Sequence, residues 1–335
     1  MMSSKKEFLI MSILMACPLF TCCSQTDFQA GMGRLNPIKI TETNEGFVVT
    51  EAQEKVMFYQ RRHKSLDGKY MRANYIHPLY NLDGEIITED FPADHPHHRG
   101  VFWAWHQVWL GNKRLGDSWA ASDFFWDVYD AKILDVDSKS RALQVQVLWK
   151  SPLRTDEDGN KKAFVKETTT IRIHSVQNDM RKIDFEIKLL ALEDGIRLGG
   201  SEDAKGYGGF TTRIPLPDGL SFIGTNGPVE PKNLSVEAGP WLDFTGNFSK
   251  DSKISGLTIL CHNSSPGYPQ RWILRRKGSA QNPVYPGRYP VPLSTKNPLI
   301  LRYRLIIHRG KLSRTEIDKL QAEYNSEHLP DFTDR

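Results

Sequence analysis

Residues 182–189 read KIDFEIKL, in which polar and apolar side chains alternate over the whole run. Successive side chains of a β-strand point to opposite faces of the sheet, so this pattern predicts a strand with one buried and one solvated face. The same alternation occurs in residues 131–136, 142–149 and 164–174. Because sheets with one solvated face are usually antiparallel, this part of the chain predicts long antiparallel strands.

Strand patterns also fill the chain on either side of this region. Residues 156–160 read DEDGN, which predicts a hairpin loop between two long strands. No amphipathic helical pattern interrupts the strands until residues 313–316, SRTE, which form a capping box and predict a terminal helix to about Tyr324. The fold class predicted is therefore all-β with a short C-terminal helix, in one domain over residues 36–328.

The N-terminus has the pattern of a bacterial export signal. Lys5 and Lys6 precede an apolar run over residues 8–20 that is too short to span a membrane. Residues 19–22, LFTC, resemble a lipobox, so we expect lipidation at Cys22, with Cys23 as an alternative acceptor and plain secretion as the alternative fate. This predicts a signal peptide over residues 1–22, a tether over 23–35, and a protein anchored by lipid on the periplasmic or outer-membrane side of a bacterial cell envelope.

Composition argues against several classes of function. The net charge of +4 over 335 residues and the lack of a basic stripe argue against nucleic-acid binding. No glycine-rich phosphate loop occurs, so we expect no nucleotide cofactor. Cys261 is the one cysteine away from the N-terminus, which excludes an internal disulfide and a cysteine zinc site. Its apolar surroundings predict a buried strand. The oligomeric state is left open.

The densest chemistry lies in residues 94–106, DHPHHRGVFWAWH, which hold four of the ten histidines. Imidazole can act as acid, base or metal ligand near neutral pH. In an extended chain His95 and His97 would share a face and His98 would point away. A strand over 101–108 would place Val101, Trp103 and Trp105 on one face and Phe102, Ala104 and His106 on the other. The bland alternative is a loop of hydrogen-bonded histidines that pins this strand.

Other side chains are weaker candidates for the same site. His77 lies in a strand-like segment, and Glu167 on a long strand is a carboxylate that could pair with a histidine. Residues 206–213, GYGGFTTR, combine three glycines, which permit close backbone approach, with Arg213. His95, His97 and His98, or two of them with His106 or His77, could also bind a divalent metal.

Several of these motifs carry a resemblance to a known group of proteins. Residues 75–79 (YIHPL), 94–100 (DHPHHRG), 209–213 (GFTTR) and 241–246 (WLDFTG) resemble the secreted bacterial proteins labelled PmoA-like or methane oxygenase PmoA, a family of unknown function. The chain departs from that pattern in residues 261–272. The label would imply a metal-dependent oxygenase, but such lipoproteins are more similar to the large β-sandwich of galactose mutarotases. The resemblance implies one sandwich over residues 36–310 and raises the expectation of a sugar.

Together these observations predict a lipid-anchored enzyme that acts on a small sugar or oligosaccharide by hydrolysis, elimination or epimerisation. The catalytic candidates are His95, His97, His98, His106 and Glu167. The candidates for substrate binding are His77, Arg99, Trp103, Trp105 and Arg213. A non-catalytic glycan-binding lipoprotein is the alternative, since Trp and Arg would serve binding equally well.

Overall fold

The structure is a computed structural model that describes residues 37–248 and 253–327. The predicted signal peptide, Cys22 and the tether lie outside these residues. The described residues group into one compact unit. In the described ranges the strands and helix are Ile38–Glu42 (β1), Gly46–Glu51 (β2), Glu54–Gln60 (β3), Lys64–Leu66 (β4), Lys69–Arg72 (β5), Tyr75–Leu79 (β6), Val101–Ala104 (β7), Gln107–Leu110 (β8), Lys113–Gly116 (β9), Phe125–Asp137 (β10), Ser140–Thr155 (β11), Lys161–His174 (β12), Met180–Ala191 (β13), Ile196–Gly199 (β14), Gly209–Thr212 (β15), Ser221–Gly224 (β16), Gly227–Pro228 (β17), Trp241–Asn247 (β18), Ile254–Cys261 (β19), Trp272–Ile273 (β20), Asn282–Pro283 (β21), Val291–Pro292 (β22), Leu299–Arg309 (β23) and Arg314–Ser326 (α1).

Two large antiparallel sheets form the body of the protein. One has the strand order β1-β2-β3-β6-β7-β15, and the other has the order β10-β11-β12-β13-β23-β19-β18-β16-β17. A smaller sheet has the strand order β22-β14-β8-β9, and its strand β8 directly follows β7 in the sequence. The all-β sandwich predicted from the alternating strands is confirmed.

Aromatic side chains join the two large sheets across the core. Phe185 of β13 lies 6.3 Å from Trp103 of β7 and 5.0 Å from Phe210 of β15, between ring centroids. Phe210 in turn stacks on Tyr303 of β23 at 4.5 Å. Burying an aromatic side chain of this size contributes roughly 2–3 kcal/mol, so these contacts fix how the sheets face each other.

Strand β13 shows why the alternating pattern is reliable. Ile183, Phe185, Ile187 and Leu189 are fully buried, as the pattern in residues 182–189 predicts. Asp184 on the other face is also buried, because Arg304 Nη2 donates to its Oδ2 at 2.9 Å. Burial alone would raise the pKa of Asp184, but the Arg304 charge and hydrogen bonds outweigh burial and lower the pKa.

Helix α1 covers part of the outer face of the nine-stranded sheet. Its first turn has the predicted capping box, with Ser313 and Glu316 bonded to each other's backbone N–H groups. Ile317, Leu320 and Tyr324 pack against Trp241, Leu260 and Ile306. The predicted helix is confirmed and ends at Ser326. No helix in the described ranges is long and apolar enough to cross a membrane.

The strand predicted over residues 101–108 is interrupted after Ala104. Ser118 accepts from Trp105 N at 2.8 Å and donates to Trp105 O at 2.9 Å, so a loop takes the place of a partner strand there. The predicted faces are nevertheless confirmed. Trp103 and Trp105 join the main core, whereas Phe102 packs in a second cluster with Trp119, whose ring stacks on His106.

Candidate functional site

The four predicted histidines of residues 94–106 line one cavity of about 250 Å³ near the β7 end of the six-stranded sheet. We call it the histidine cavity. Its walls come from four loops that lie far apart in sequence. The lining residues are His95, His97, His98, His106, Trp119, Ala120, Lys205, Tyr207, Ile273, Arg275, Ser279, Ala280 and Asn282. A larger cleft of about 480 Å³ lies beside α1, but one histidine, His174, lines it. The histidines are therefore concentrated in the smaller cavity.

Residues 94–100, which we call the histidine loop, form a turn and not the extended segment that we expected. His98 N donates to His95 O at 2.9 Å, which closes a turn with Pro96 at its second position. Proline is preorganised for that position because its φ is fixed. The turn stacks the rings of His95 and His98 at 4.7 Å with 2° between their planes, and His97 meets both edge-on. The prediction that His98 points away from His95 is therefore wrong.

Two of the four imidazoles are paired with carboxylates. His95 Nδ1 lies 2.7 Å from Asp94 Oδ2, and His106 Nδ1 lies 2.8 Å from Asp117 Oδ2. An ionised carboxylate only accepts, so each Nδ1 carries the proton and the Nε2 of the neutral ring has a free lone pair. His106 Nε2 is buried and has no hydrogen-bond partner within the described residues. This arrangement holds a proton acceptor ready in the cavity wall.

Asp94 is held in its charged form by Arg213. The guanidinium donates to both carboxylate oxygens, at 2.7 and 3.0 Å, and its Nε donates to Glu89 at 2.6 Å. Burial would raise the pKa of Asp94, but the bonds from Arg213 and His95 keep that pKa below its ordinary value. We expected Arg213 to bind substrate. The structure corrects this, because the side chain is 3% exposed and two carboxylates occupy its charge.

Arg99 is likewise a support for the loop and does not reach the cavity. Its side chain is fully buried, and its guanidinium lies 3.3 Å from the centroid of the Phe91 ring. Nη1 donates to Pro96 O at 3.0 Å and Nη2 donates to Tyr70 O. The expectation that Arg99 clamps a substrate is corrected, since the side chain is buried and binds main-chain carbonyls of Pro96 and Tyr70.

His97 and His98 are neutral at physiological pH. Burial, followed by the nearby Arg72 charge, lowers the pKa of His97 to about 4. Burial, followed by His97 and His95, lowers the pKa of His98 even further. Within the described part of the chain, the His97 ring has no hydrogen-bond partner. These two rings therefore offer uncharged donors and acceptors beside the carboxylate-paired histidines.

The aromatic wall of the cavity is made by Trp119 and Tyr207. The Trp119 ring stacks on His106 at 5.5 Å, and Tyr207 meets both rings edge-on at 4.9 and 5.0 Å. We expected Trp103 or Trp105 in this place. Both are at most 1% exposed and lie in the core, so neither presents a face to a ligand. Trp119 had no signal beyond the high aromatic content of its segment.

Arg72 fixes the loop that carries Trp119. Its Nη2 donates to Ser118 O and, at 3.1 Å, to Trp119 O. The guanidinium is fully buried between the rings of Phe102 and Trp126, with centroid distances of 4.8 and 4.4 Å. Burial lowers the pKa of Arg72 to about 9. A buried cation held in this way keeps the aromatic wall in place.

Glu167 and His77 lie away from the cavity. Glu167 is fully buried in the core, where Trp103, Trp149, Asn74 and Thr169 all donate to it at 2.7–2.8 Å. Burial raises its pKa. His77 Nδ1 bonds to Thr88 Oγ1 at 3.0 Å and the ring does not line the cavity. The expected pairing of Glu167 with the histidine loop and the binding role of His77 are corrected by these positions.

One family model covers the whole of this site. The description of the family is "Family of unknown function (DUF6807)", and the match spans residues 47–322. The chain belongs to this family. No curated protein matches the chain in sequence.

The match to DUF6807 includes every residue that lines the histidine cavity. Sequence analysis had not singled out Lys205, Tyr207, Arg275 or Asn282 among them. Tyr207 lies inside the glycine-rich segment 206–213, and Lys205 directly precedes that segment. No sequence motif around Arg275 or Asn282 indicates a site, because only the fold brings these residues next to the histidines.

The described histidines of this DUF6807 chain are not grouped as metal ligands. Within residues 37–248 and 253–327, no group of three or more His, Cys, Asp or Glu side chains is arranged to hold a metal ion. The stacking of His95 on His98 explains this in part. The lone pairs of imidazole lie in the ring plane, so two parallel stacked rings cannot both direct a nitrogen at one ion.

Proposed function

We propose that the protein is a carbohydrate-active enzyme that transfers protons to and from a sugar bound in the histidine cavity. One observation carries this proposal. Two histidines that line the same cavity, His95 and His106, each have Nδ1 bound to a carboxylate, and no described residue bonds to Nε2 of either ring. Hydrolysis, elimination and epimerisation all need a base for one proton and an acid for another.

The two Asp–His pairs, Asp94–His95 and Asp117–His106, take opposite roles in proton transfer. A neutral histidine of one Asp–His pair takes a proton at Nε2, and the carboxylate at its Nδ1 stabilises the imidazolium that forms. The histidine of the other pair, when protonated, gives a proton to a leaving or carbonyl oxygen. Proton transfer by a positioned group typically contributes 10²–10⁴-fold to a rate. The neutral His97 and His98 orient hydroxyl groups between the pairs.

The walls of the cavity also suit a sugar. The partly exposed Tyr207 ring offers an apolar surface beside polar groups, which fits the alternating faces of a pyranose, and the buried Trp119 ring supports that wall. The resemblance to galactose mutarotase-like sandwiches and to the PmoA-like proteins supports a carbohydrate in the same place, by analogy of fold. Export and attachment to the bacterial envelope through Cys22 complete the proposal.

The alternative function is a glycan-binding lipoprotein without catalysis. The aromatic wall favours it as strongly as it favours an enzyme. Binding alone would not require a buried His106 Nε2 without a partner, since an unpaired buried nitrogen costs roughly 1–3 kcal/mol. An oxygenase, which the PmoA-like label implies, would need a metal that the stacked rings are poorly arranged to hold.

A glycan panel analysed by mass spectrometry tests the proposal. We expect the unmodified protein to convert at least one glycan and His106→Asn to be at least 100-fold slower, since asparagine can still donate to Asp117 but lacks Nε2. His174→Asn is the matched control, because His174 is also paired with an aspartate, Asp184 at 2.8 Å, outside the cavity. Glycans that bind but stay unaltered would establish the binding protein instead.

A further inference from the structure

The charged side chains that line the histidine cavity all carry the same sign. Lys205 and Arg275 are part of the lining, together with the four imidazoles. No Asp or Glu among the described residues lines it. Asp94 and Asp117 lie one layer behind, bound to His95 and His106. A ligand in this space therefore meets cations and imidazole rings but no carboxylate.

Arg275 has no acidic partner. Its three guanidinium hydrogen bonds go to main-chain carbonyls, those of Lys232 and Leu274 at 2.8 Å and of Asn233 at 3.0 Å. Among the described residues no carboxylate lies within 4 Å of it. Asp203, whose charge acts on Arg275 from a distance, is itself bound to Lys205 at 3.0 Å. A half-buried cation that no carboxylate bonds directly is free to take an anion from outside as its ion-pair partner.

We infer that the sugar carries a carboxylate, as a uronic acid does, and that Arg275, assisted by Lys205, binds this group. The inference rests on the proposed function and specifies its substrate class. A guanidinium presents paired N–H donors that match the two oxygens of a carboxylate, whereas a neutral sugar would leave this charge without a counter-ion.

A carboxylate held by cations also decides between the three reactions. Glycoside hydrolysis develops positive charge on the sugar and ordinarily uses two carboxylates at the reacting carbon, which this lining lacks. Removal of the proton next to a carboxylate develops negative charge instead, which Arg275 and Lys205 stabilise. The geometry thus favours elimination or epimerisation over hydrolysis.

The step balances with the groups present. Nε2 of one histidine takes the proton from the carbon beside the carboxylate, and the electron pair of that C–H bond spreads into the carboxylate. In elimination the pair then forms a C=C bond as the neighbouring C–O bond breaks, and the leaving oxygen takes a proton from the second histidine. In epimerisation the second histidine returns a proton to the same carbon from the opposite face. Neither route needs an oxidant or a reductant.

Calorimetric titration with D-glucuronate and D-glucose tests the inference, because the two sugars differ only at the carboxylate carbon. We expect glucuronate to bind at least tenfold more tightly than glucose, Arg275→Gln to abolish this preference and Arg275→Lys to keep part of it. Arg276→Gln is the control, since the neighbouring Arg276 is exposed and paired with Glu230 at 3.0 Å. That variant should bind within twofold of the unmodified protein.

Equal binding of the two sugars, no binding of either, or an unchanged preference in Arg275→Gln would overturn the inference. D-glucose 6-sulfate separates a carboxylate site from a general anion site, and equal binding of the sulfate and the glucuronate would refute the carboxylate assignment. The proposed function fails separately. Conversion of neutral glycans that depends on His106 would uphold the proposed enzyme and refute the acidic substrate. Tight glucuronate binding without any conversion would uphold the carboxylate site and refute the proposed enzyme.

Discussion

At the scale of single residues, His97 makes the fold sensitive to acid. Unfolded histidine titrates near pH 6.5, but burial and then the Arg72 charge lower the pKa of His97 to about 4 in the fold. Between these values the unfolded chain binds a proton that the folded chain does not, so the free energy of unfolding falls as the pH drops from about 6.5 towards 4. The stabilising contribution is fully present above pH 6.5.

Urea unfolding of the unmodified protein and of His97→Gln across this range measures the effect. We expect the variant to lose less stability on acidification, because glutamine has no proton to gain. The lowered pKa of His98 adds a second contribution in the same direction and remains in both proteins. Parallel pH profiles of the two proteins would show that His97 does not titrate as the structure indicates.

Residue types identified the histidines, but their roles depended on neighbours far along the chain. Asp94 beside His95 was visible in the sequence, whereas the pairing of Arg213 with Asp94 joins positions on different elements. Arg99, Arg213, Trp103 and Trp105 have side chains that suit ligand binding. Burial gave them structural roles instead, and burial is not written in a residue type.

At the scale of elements, the junction of β6 and β7 holds the histidine loop against the sheet. A methyl group on Gly100 would lie 2.1 Å from Ile76 O and 3.0 Å from His77 Cβ. Only glycine permits this approach, and Gly100 is the residue that ends the loop and enters β7.

We therefore expect Gly100→Ala to lower the free energy of unfolding by about 2–3 kcal/mol, as overpacking against backbone does. Gly159→Ala in the hairpin loop is a control with open space around it and only the strain of a positive φ, about 1 kcal/mol. Urea unfolding of both variants compares them. A Gly100→Ala loss no larger than that of Gly159→Ala would mean that the strands separate easily and that the loop is not held as described.

The elements also show where sequence patterns suffice and where they stop. Alternation identified β13, because one face of that strand packs on the other sheet and the other meets solvent. It could not show the break after Ala104, which exists because Ser118 bonds to both polar groups of the Trp105 main chain. The turn at Pro96 was missed for a similar reason, since the extended form and the turn are both open to His-Pro-His.

At the scale of the whole molecule, the sandwich brings four loops to one end of the six-stranded sheet. Residues near 95, 119, 207 and 275 surround about 250 Å³ of space, although the first and the last of them are about 180 positions apart in the sequence. The fold class followed from local patterns. The cavity could not be predicted from local patterns, because it forms only when the folded sandwich brings distant loops together. Arg275 is part of the cavity for this reason alone.

The central claim is that a sugar binds in the histidine cavity with its reacting atoms at His95 and His106. A crystal structure of the His106→Asn variant, soaked with a glycan that the unmodified protein converts, tests this most directly. We predict the sugar packed against Tyr207, with an oxygen or carbon about 3–3.5 Å from His95 Nε2. A sugar bound only in the cleft beside α1, or elsewhere on the surface with the histidine cavity empty, would contradict the account.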